Sequence, residues 1–127
     1  TMVDNVLRAI AAFMNTNGGT LFIGVDDNGK IAGIDSEYAV ANPAKKNWDG
    51  YELRLRDALI RLSISNSAHY CAIERVTLRD KDICRVIVQP APEAVYFMNE
   101  FFIREGNRRR VLPVKEAVDY IARHWKK

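Results

Sequence analysis

Two adjacent carboxylates, Asp26 and Asp27, follow a short apolar run and precede an Asn28-Gly29 pair. Carboxylate oxygens at a strand end are ligands that Mg²⁺ and Mn²⁺ accept, and such an ion can activate water for hydrolysis. The same four residues are also typical of a tight turn, because aspartate, asparagine and glycine tolerate the backbone angles that turns require. A single carboxylate binds a divalent cation weakly, so the turn is the interpretation that we favour for this chain.

A second group of residues that could do chemistry is basic and lies near the C-terminal end of the chain. It consists of Arg104, Asn107, Arg108, Arg109, Arg110 and Lys115. The planar guanidinium fork matches phosphate oxygens, and several arginines on one edge would bind a nucleic-acid backbone without reading its sequence. Backbone N–H groups in a turn at Gly106 and Asn107 could add to such a phosphate site. The alternative is a solvated turn before the last helix, in which Arg110 pairs with a carboxylate.

The charge of the chain is concentrated in this C-terminal part. Residues 101–127 carry a net charge of +5 and residues 1–100 carry −2, which gives +3 for all 127 residues. A basic end on a nearly neutral body is compatible with a polyanionic partner, although solvated basic tails are also common. No apolar run is long enough to span a membrane, and no signal peptide is visible. We therefore expect no membrane partner and a cytoplasmic location.

The elements that must position these residues follow from the spacing of apolar side chains. Helical spacing predicts a first helix, a second helix after Asp49 and a last helix from Pro113. Their predicted apolar faces are Val3, Val6, Leu7, Ile10, Phe13 and Met14; Tyr51, Leu55, Ala58, Leu59 and Leu62; and Val114, Ala117, Val118, Ile121 and Trp125. Strands are predicted over 70–78, 83–88, 94–97 and 101–104. The order predicts an α+β fold, with a largely antiparallel or mixed sheet covered by about three helices.

The segment between the first helix and the carboxylates predicts a helix end followed by a hairpin. Gly18 can take the left-handed conformation of a helix C-terminus, and Gly19 allows the helix and the next strand to approach closely. The run Leu21–Val25 is typical of a strand that is buried on both faces. Asn28-Gly29 is a strong hairpin signal, and it predicts that residues 30–34 form the returning strand.

This segment also carries a resemblance to a known family. From Ala12 to Gly33 the chain reads Ala-Phe-x-Asn-Thr-x-Gly-Gly-Thr-Leu-x-Ile-Gly-Val-Asp-Asp-x-Gly-x-Ile-x-Gly, which resembles the signature of the Schlafen AlbA-like domain. A weaker match lies in Phe102–Arg110, where Arg108-Arg109 replace the Ser-Thr that is usual in the family. The resemblance implies an α+β fold and DNA binding. The departure at residues 108 and 109 adds positive charge and removes the hydroxyl groups that the family usually has there.

The resemblance also implies a possible metal site. In nuclease members of the family, an acidic residue at the position of Asp27 joins two glutamates of an upstream motif to hold a catalytic metal. This sequence starts after the position where those glutamates would lie. We therefore expect that this chain by itself is not a nuclease and that Mg²⁺ or Mn²⁺ would bind Asp27 only with the upstream segment.

The sequence as a whole predicts one domain over residues 1–127, which we expect to be a fragment of a larger protein. The leading hypothesis is a nucleic-acid-binding domain, for DNA in the first place, of a bacterial protein that resembles a transcriptional regulator. In this hypothesis the basic loop contacts the phosphate backbone. The alternatives are a protein-interaction or homo-oligomerisation module that uses exposed strand edges, and the remnant of a metal-dependent nuclease core.

Overall fold

Residues 2–126 are the part of the chain that the structure, a computed structural model, describes. They form α-helices and β-strands in the order expected of an α+β fold. The helices are α1 (Met2–Met14), α2 (Tyr38–Ala41), α3 (Trp48–Ala58) and α4 (Val114–His124). The strands are β1 (Gly19–Ile23), β2 (Cys71–Leu78), β3 (Lys81–Val88), β4 (Tyr96–Phe97), β5 (Glu100–Glu105) and β6 (Arg108–Val111).

The strands form two antiparallel sheets, which confirms the predicted fold class. The first sheet has the order β1-β3-β2, and the second has the order β4-β5-β6. In the first sheet the central strand β3 pairs with β1 through Leu21 opposite Val86 and with β2 through Ile73 opposite the same valine. None of the helices in residues 2–126 is both long enough and apolar enough to cross a bilayer.

Helix α1 packs against strands of both sheets and carries the largest share of the core. Its predicted apolar face is confirmed, because Leu7, Ile10, Phe13 and Met14 are buried there. The predicted face of α3 is confirmed as well, with Tyr51 and Leu55 in the same core. Helical spacing succeeds because the predicted positions of both helices enter the same core, although the end of α1 is buried on all sides from Ile10 to Met14.

The end of α1 is joined to the second sheet by Asn15, whose side chain is fully buried. The Asn15 side-chain amide donates to the carbonyl oxygens of Val95, at 2.8 Å, and Phe102, at 2.9 Å. Its carbonyl oxygen accepts a hydrogen bond of 2.8 Å from the backbone N–H of Val95. The backbone carbonyl of Asn15 accepts from the Tyr120 hydroxyl of α4. Asn15 therefore connects α1, the second sheet and α4.

The glycine pair after α1 has the two roles that the sequence predicts. Gly18 has a φ of +72°, the left-handed conformation that ends a helix. A Cβ atom on Gly19 would lie 2.3 Å from the ring of Phe13, so only glycine leaves room for this ring. The close approach of helix and strand therefore depends on Gly19.

We expect Gly19→Ala to lower the free energy of unfolding by about 1–3 kcal/mol, because the Phe13 ring must move out of its packed position. Urea denaturation of the single variants and of the Gly19→Ala/Phe13→Leu double variant tests this origin. The alanine should cost less in the Phe13→Leu background, where the ring is absent. An equal cost in both backgrounds would show that the contact with Phe13 is not the cause.

The predicted hairpin after β1 is wrong in its second strand. The chain turns over residues 26–29, where the N–H of Gly29 donates to the carbonyl of Asp26 at 3.0 Å and Gly29 has a φ of +80°. Residues 30–34 then form only an isolated bridge between Ile31 and Val25. The backbone of Gly33, with a φ of +78°, bends the chain away, and Ile34 N then donates to the carbonyl of Asp82. Strand β1 consequently lies at the edge of its sheet, and the prediction of a strand buried on both faces is also wrong, since Phe22 is 50% exposed.

The last helix packs on the second sheet with a smaller face than predicted. Ala117 is buried, and Tyr120, Ile121 and Trp125 pack on the same small cluster around Phe101. The predicted core positions 114 and 118 are wrong, because Val114 is 82% exposed and Val118 is 61% exposed. The second sheet has only three short strands, and they are too narrow to cover the whole apolar side of α4.

Candidate nucleic-acid interface

The basic residues that the sequence singles out lie mainly on a β-hairpin, not on a loop. Strands β5 and β6 pair with Glu105 opposite Arg108 and Ile103 opposite Arg110, and Gly106 and Asn107 form the turn. Gly106 has a φ of +61°, which suits the first position of a two-residue hairpin turn. The predicted basic loop is therefore wrong for residues 108–110, since they form β6. Successive side chains of a strand point to opposite faces, so the three arginines are divided between two faces.

The face that is turned towards α1 carries Arg104 and Arg109, which are directly opposite each other across the strands. The guanidinium of Arg104 lies 4.8 Å from the ring centre of Phe13, and that of Arg109 lies 5.8 Å from the ring centre of Phe102. Aromatic faces attract cations and hold the guanidinium planes in place. This support opposes the repulsion between two like charges at a cross-strand pair.

A third arginine, Arg8 of α1, lies beside this pair, because Arg8 and Arg109 both donate hydrogen bonds to Asn5. The side-chain oxygen of Asn5 accepts from Arg8 Nη1 at 3.0 Å, and its backbone oxygen accepts from Arg109 Nη1 at 3.2 Å. We call Arg8, Arg104 and Arg109 the arginine triad. Within residues 2–126 the structure shows no ion pair between a carboxylate and any member of the triad.

The electrostatic environment of the triad is unfavourable for the protein without a bound anion. Partial burial lowers the pKa of Arg109, and the positive charges of Arg8 and Arg104 lower it further. Each of these causes opposes the protonated form, although an arginine stays charged at neutral pH. A phosphate group placed among the three side chains would remove the repulsion, which makes this face a candidate anion site.

Sequence reasoning missed Arg8, and it also missed Arg61 beside it. The guanidinium of Arg61 lies 5.0 Å from the ring centre of Phe97, and that of Arg8 lies 5.6 Å from the same ring. Arg61 is held at 2.8 Å by Asp4, so its charge is partly compensated. Both arginines come from helical segments far from the hairpin in sequence, and no local pattern distinguishes them from ordinary surface arginines.

The opposite face of the hairpin, towards α4, carries Arg108 and Arg110. Arg110 forms ion pairs with Glu105 at 3.5 Å and Glu116 at 2.5 Å. This arrangement agrees with the structural alternative for Arg110 that the sequence left open. Of the other predicted residues, Arg108 and Asn107 are exposed at the hairpin tip and Lys115 is exposed on α4. The structure thus brings Arg104 and Arg109 together and separates them from Arg108, Arg110 and Lys115.

We expect the pair between Arg110 and Glu116 to contribute about 0.2–1 kcal/mol to stability, the range measured for exposed ion pairs. A double-mutant cycle with Arg110→Ala, Glu116→Ala and the double variant, measured by urea denaturation, gives this coupling energy. Raising the salt concentration should reduce it. A coupling energy of zero at low salt would contradict the assigned role of Arg110.

The acidic turn at residues 26–29 shows little capacity for metal binding. Asp26 stabilises the turn, since its Oδ1 accepts from the backbone N–H groups of Asn28, at 2.9 Å, and Lys30, at 2.8 Å. Asp27 is exposed. Across the described residues, no three His, Cys, Asp or Glu side chains lie close enough together to hold a metal ion. Because Mg²⁺ and Mn²⁺ need several oxygen ligands, the residues present here do not fit a catalytic metal site.

Two antiparallel sheets, a helix that packs on strands of both sheets and a basic hairpin together form an α+β fold. The sequence profile of the family described as Schlafen, AlbA_2 matches residues 1–113, and the chain belongs to this family. Membership indicates a domain of the nucleic-acid-binding type. No curated protein sequence matches the chain.

One solved structure supports the fold. The crystal structure of the DIP2311 protein from Corynebacterium diphtheriae superposes with a TM-score of 0.65 at 17% sequence identity. The match covers 96% of this chain and 19% of the DIP2311 chain, so this chain spans about a fifth of that protein's length. At this identity the likeness concerns the fold alone.

Proposed function

We propose that this domain binds nucleic acid, DNA in the first place, by its phosphate backbone and that the arginine triad makes the principal contacts. The observation that carries the proposal is the juxtaposition of Arg104 and Arg109 across the hairpin, with Arg8 hydrogen-bonded beside them through Asn5. Like charges are costly to hold together unless an anion binds among them. The family membership of the chain supports the same class of ligand.

The chemistry of the triad favours backbone contacts over the reading of bases. The guanidinium groups of Arg104 and Arg109 lie over phenylalanine rings, which restrict these side chains and leave their N–H donors free for a phosphate. Such contacts position a duplex or a single strand and give affinity without choosing a sequence. In this proposal, Arg108 and Asn107 lie at the hairpin tip as secondary contacts, and Lys115 lies outside the main surface.

The biological role that we propose is that of a binding module within a larger, cytoplasmic, bacterial protein that acts as a transcriptional regulator. A site without base-reading groups supplies affinity, so we assign the choice of DNA sequence to other domains of that protein. The chain itself would then bind many sequences with similar affinity.

Fluorescence anisotropy of labelled single- and double-stranded DNA and RNA, measured over a salt series, tests the proposal. With up to three phosphates neutralised, log K should fall against log salt with a slope of about −2 to −3. Different sequences of the same length should bind with similar affinity. An absence of binding at low salt, or binding that salt does not weaken, would overturn the proposal.

A further inference from the structure

The outer edge of β6 has no partner strand in the described part of the chain, and it lies beside an apolar groove. Strand β6 is at the edge of the second sheet and pairs only with β5. At the C-terminal end of β6, a groove of about 400 Å³ lies between Tyr96, the start of β5 and α4. Val111 lines this groove and is 44% exposed. The edge and the groove are therefore continuous.

The register of the hairpin shows which backbone groups point outward. In a hairpin with a two-residue turn, the pair that flanks the turn is hydrogen-bonded and the bonded pairs alternate from there. The hydrogen-bonded pairs are thus Glu105–Arg108 and Ile103–Arg110. The next pair in this alternation is Phe101–Leu112, and there the N–H of Leu112 donates to the carbonyl oxygen of Phe101 at 2.9 Å. The N–H and C=O groups of Arg109 and Val111 consequently point away from β5.

A further copy of this chain fits this edge poorly. Residues directly opposite each other in an antiparallel pair point their N–H and C=O groups either both towards or both away from the partner strand. Two copies that pair through the outward groups of Arg109 would therefore place Arg110 opposite Arg110, or Arg109 opposite Arg109 and Arg108 opposite Arg110. Like charges directly opposite each other in neighbouring strands are destabilising. A polynucleotide could contact the guanidinium groups, but it lacks the alternating amide donors and acceptors that would satisfy the edge. An extended peptide has these groups at the required spacing.

We propose that the outer edge of β6 binds an extended segment of a partner protein as an added strand. The charges of the edge define the chemistry of that segment. Acidic side chains lie opposite Arg108 and Arg109, and Arg110 needs none because Glu105 and Glu116 already pair with it. Apolar side chains of the segment lie next to Val111, and further apolar side chains of the segment enter the groove beside Val114 and Val118, which are both exposed. If the segment pairs antiparallel to β6, its N-terminal part is apolar and its C-terminal part is acidic. This inference does not depend on nucleic-acid binding.

The probe for this proposal is a short synthetic peptide with a valine-rich first half and a glutamate-rich second half. Two further peptides carry N-methyl groups on one or the other alternate set of residues. Only one of these sets turns its N–H groups towards β6. Binding of the added strand predicts that one methylated peptide binds like the parent and the other binds at least about tenfold more weakly, because backbone hydrogen bonds are lost.

A second measurement uses the domain itself. The peptide should slow the solvent exchange of the amides of Arg109 and Val111, as followed by ¹⁵N NMR. In the Val111→Pro variant the outward N–H is removed, whereas every hydrogen bond between β6 and β5 is kept. This variant should keep its fold and bind the peptide more weakly. Equal affinity for all three peptides, no peptide binding, or unchanged exchange at Arg109 and Val111 would overturn the proposal. Self-association of the free domain in sedimentation would overturn the choice of a partner segment over a second copy.

Discussion

Replacing Asn15 with alanine is expected to lower the free energy of unfolding by about 3–5 kcal/mol. The side chain is fully buried and makes three hydrogen bonds of 2.8–2.9 Å to the backbone of Val95 and Phe102. Alanine would leave one N–H and two C=O groups without a partner, and an unsatisfied buried group costs about 1–3 kcal/mol. Domains are stable by only about 5–15 kcal/mol, so this loss is a large part of the total.

Urea denaturation followed by circular dichroism measures this loss, with Asn17→Ala as the matched control. Asn17 lies two residues further along the chain and is exposed, so its replacement should change stability by no more than about 0.5 kcal/mol. If Asn15→Ala cost less than about 1 kcal/mol with an unchanged denaturant dependence, the assigned role of Asn15 would be contradicted. The position of Asn15 in the Asn-Thr pair of the family signature would then need another explanation.

Neutralising two members of the arginine triad is expected to weaken nucleic-acid binding by about 10- to 100-fold. In the variant Arg104→Gln/Arg109→Gln, the two charged donors that face α1 are lost, while glutamine retains part of the packing on Phe13 and Phe102. The slope of log K against log salt should become less negative by about 2. Stability should change little, because the loss of cation–π contacts is opposed by the removal of a like-charge pair.

The matched control for this prediction is Arg108→Gln/Lys115→Gln. It removes the same number of positive charges from exposed residues that do not belong to the triad. The long-range attraction of the domain for a polyanion therefore changes equally, and only the local contacts differ. We expect a loss of less than about threefold in the control. Equal losses in the two variants would show that binding depends on net charge and not on the triad.

Local patterns predicted those features of the fold that depend on neighbouring residues. The apolar faces of α1 and α3 followed from helical spacing, and Gly18 and Gly19 followed from the demands of a helix end and a close approach. The partner of β1 could not be predicted, because Asn28-Gly29 favoured a local hairpin whereas the strand pairs with β3, about 65 residues away. Long-range register depends on packing that no local pattern contains.

The sequence predicted that the candidate site consists of basic residues, but it did not predict how these residues are arranged in space. Three successive arginines lack the apolar alternation that reveals a strand, so β6 was interpreted as a loop. Once the strand is known, its period of two separates Arg109 from Arg108 and Arg110. The third member of the triad, Arg8, reaches the site through the packing of α1 on β5 and β6, which brings together residues about a hundred positions apart.

The most direct test of the central claim is an NMR titration that follows the side-chain Nε–Hε signals of the arginines as a short oligonucleotide is added. Binding through the triad predicts that the signals of Arg8, Arg104 and Arg109 shift and saturate together. The signal of Arg110 should shift much less, because Glu105 and Glu116 hold its guanidinium. The signal of Arg108 should also shift less than those of the triad, because Arg108 is only a secondary contact at the hairpin tip. Shifts confined to Arg108, or equal shifts at every arginine, would contradict the claim that the face towards α1 is the phosphate-binding surface.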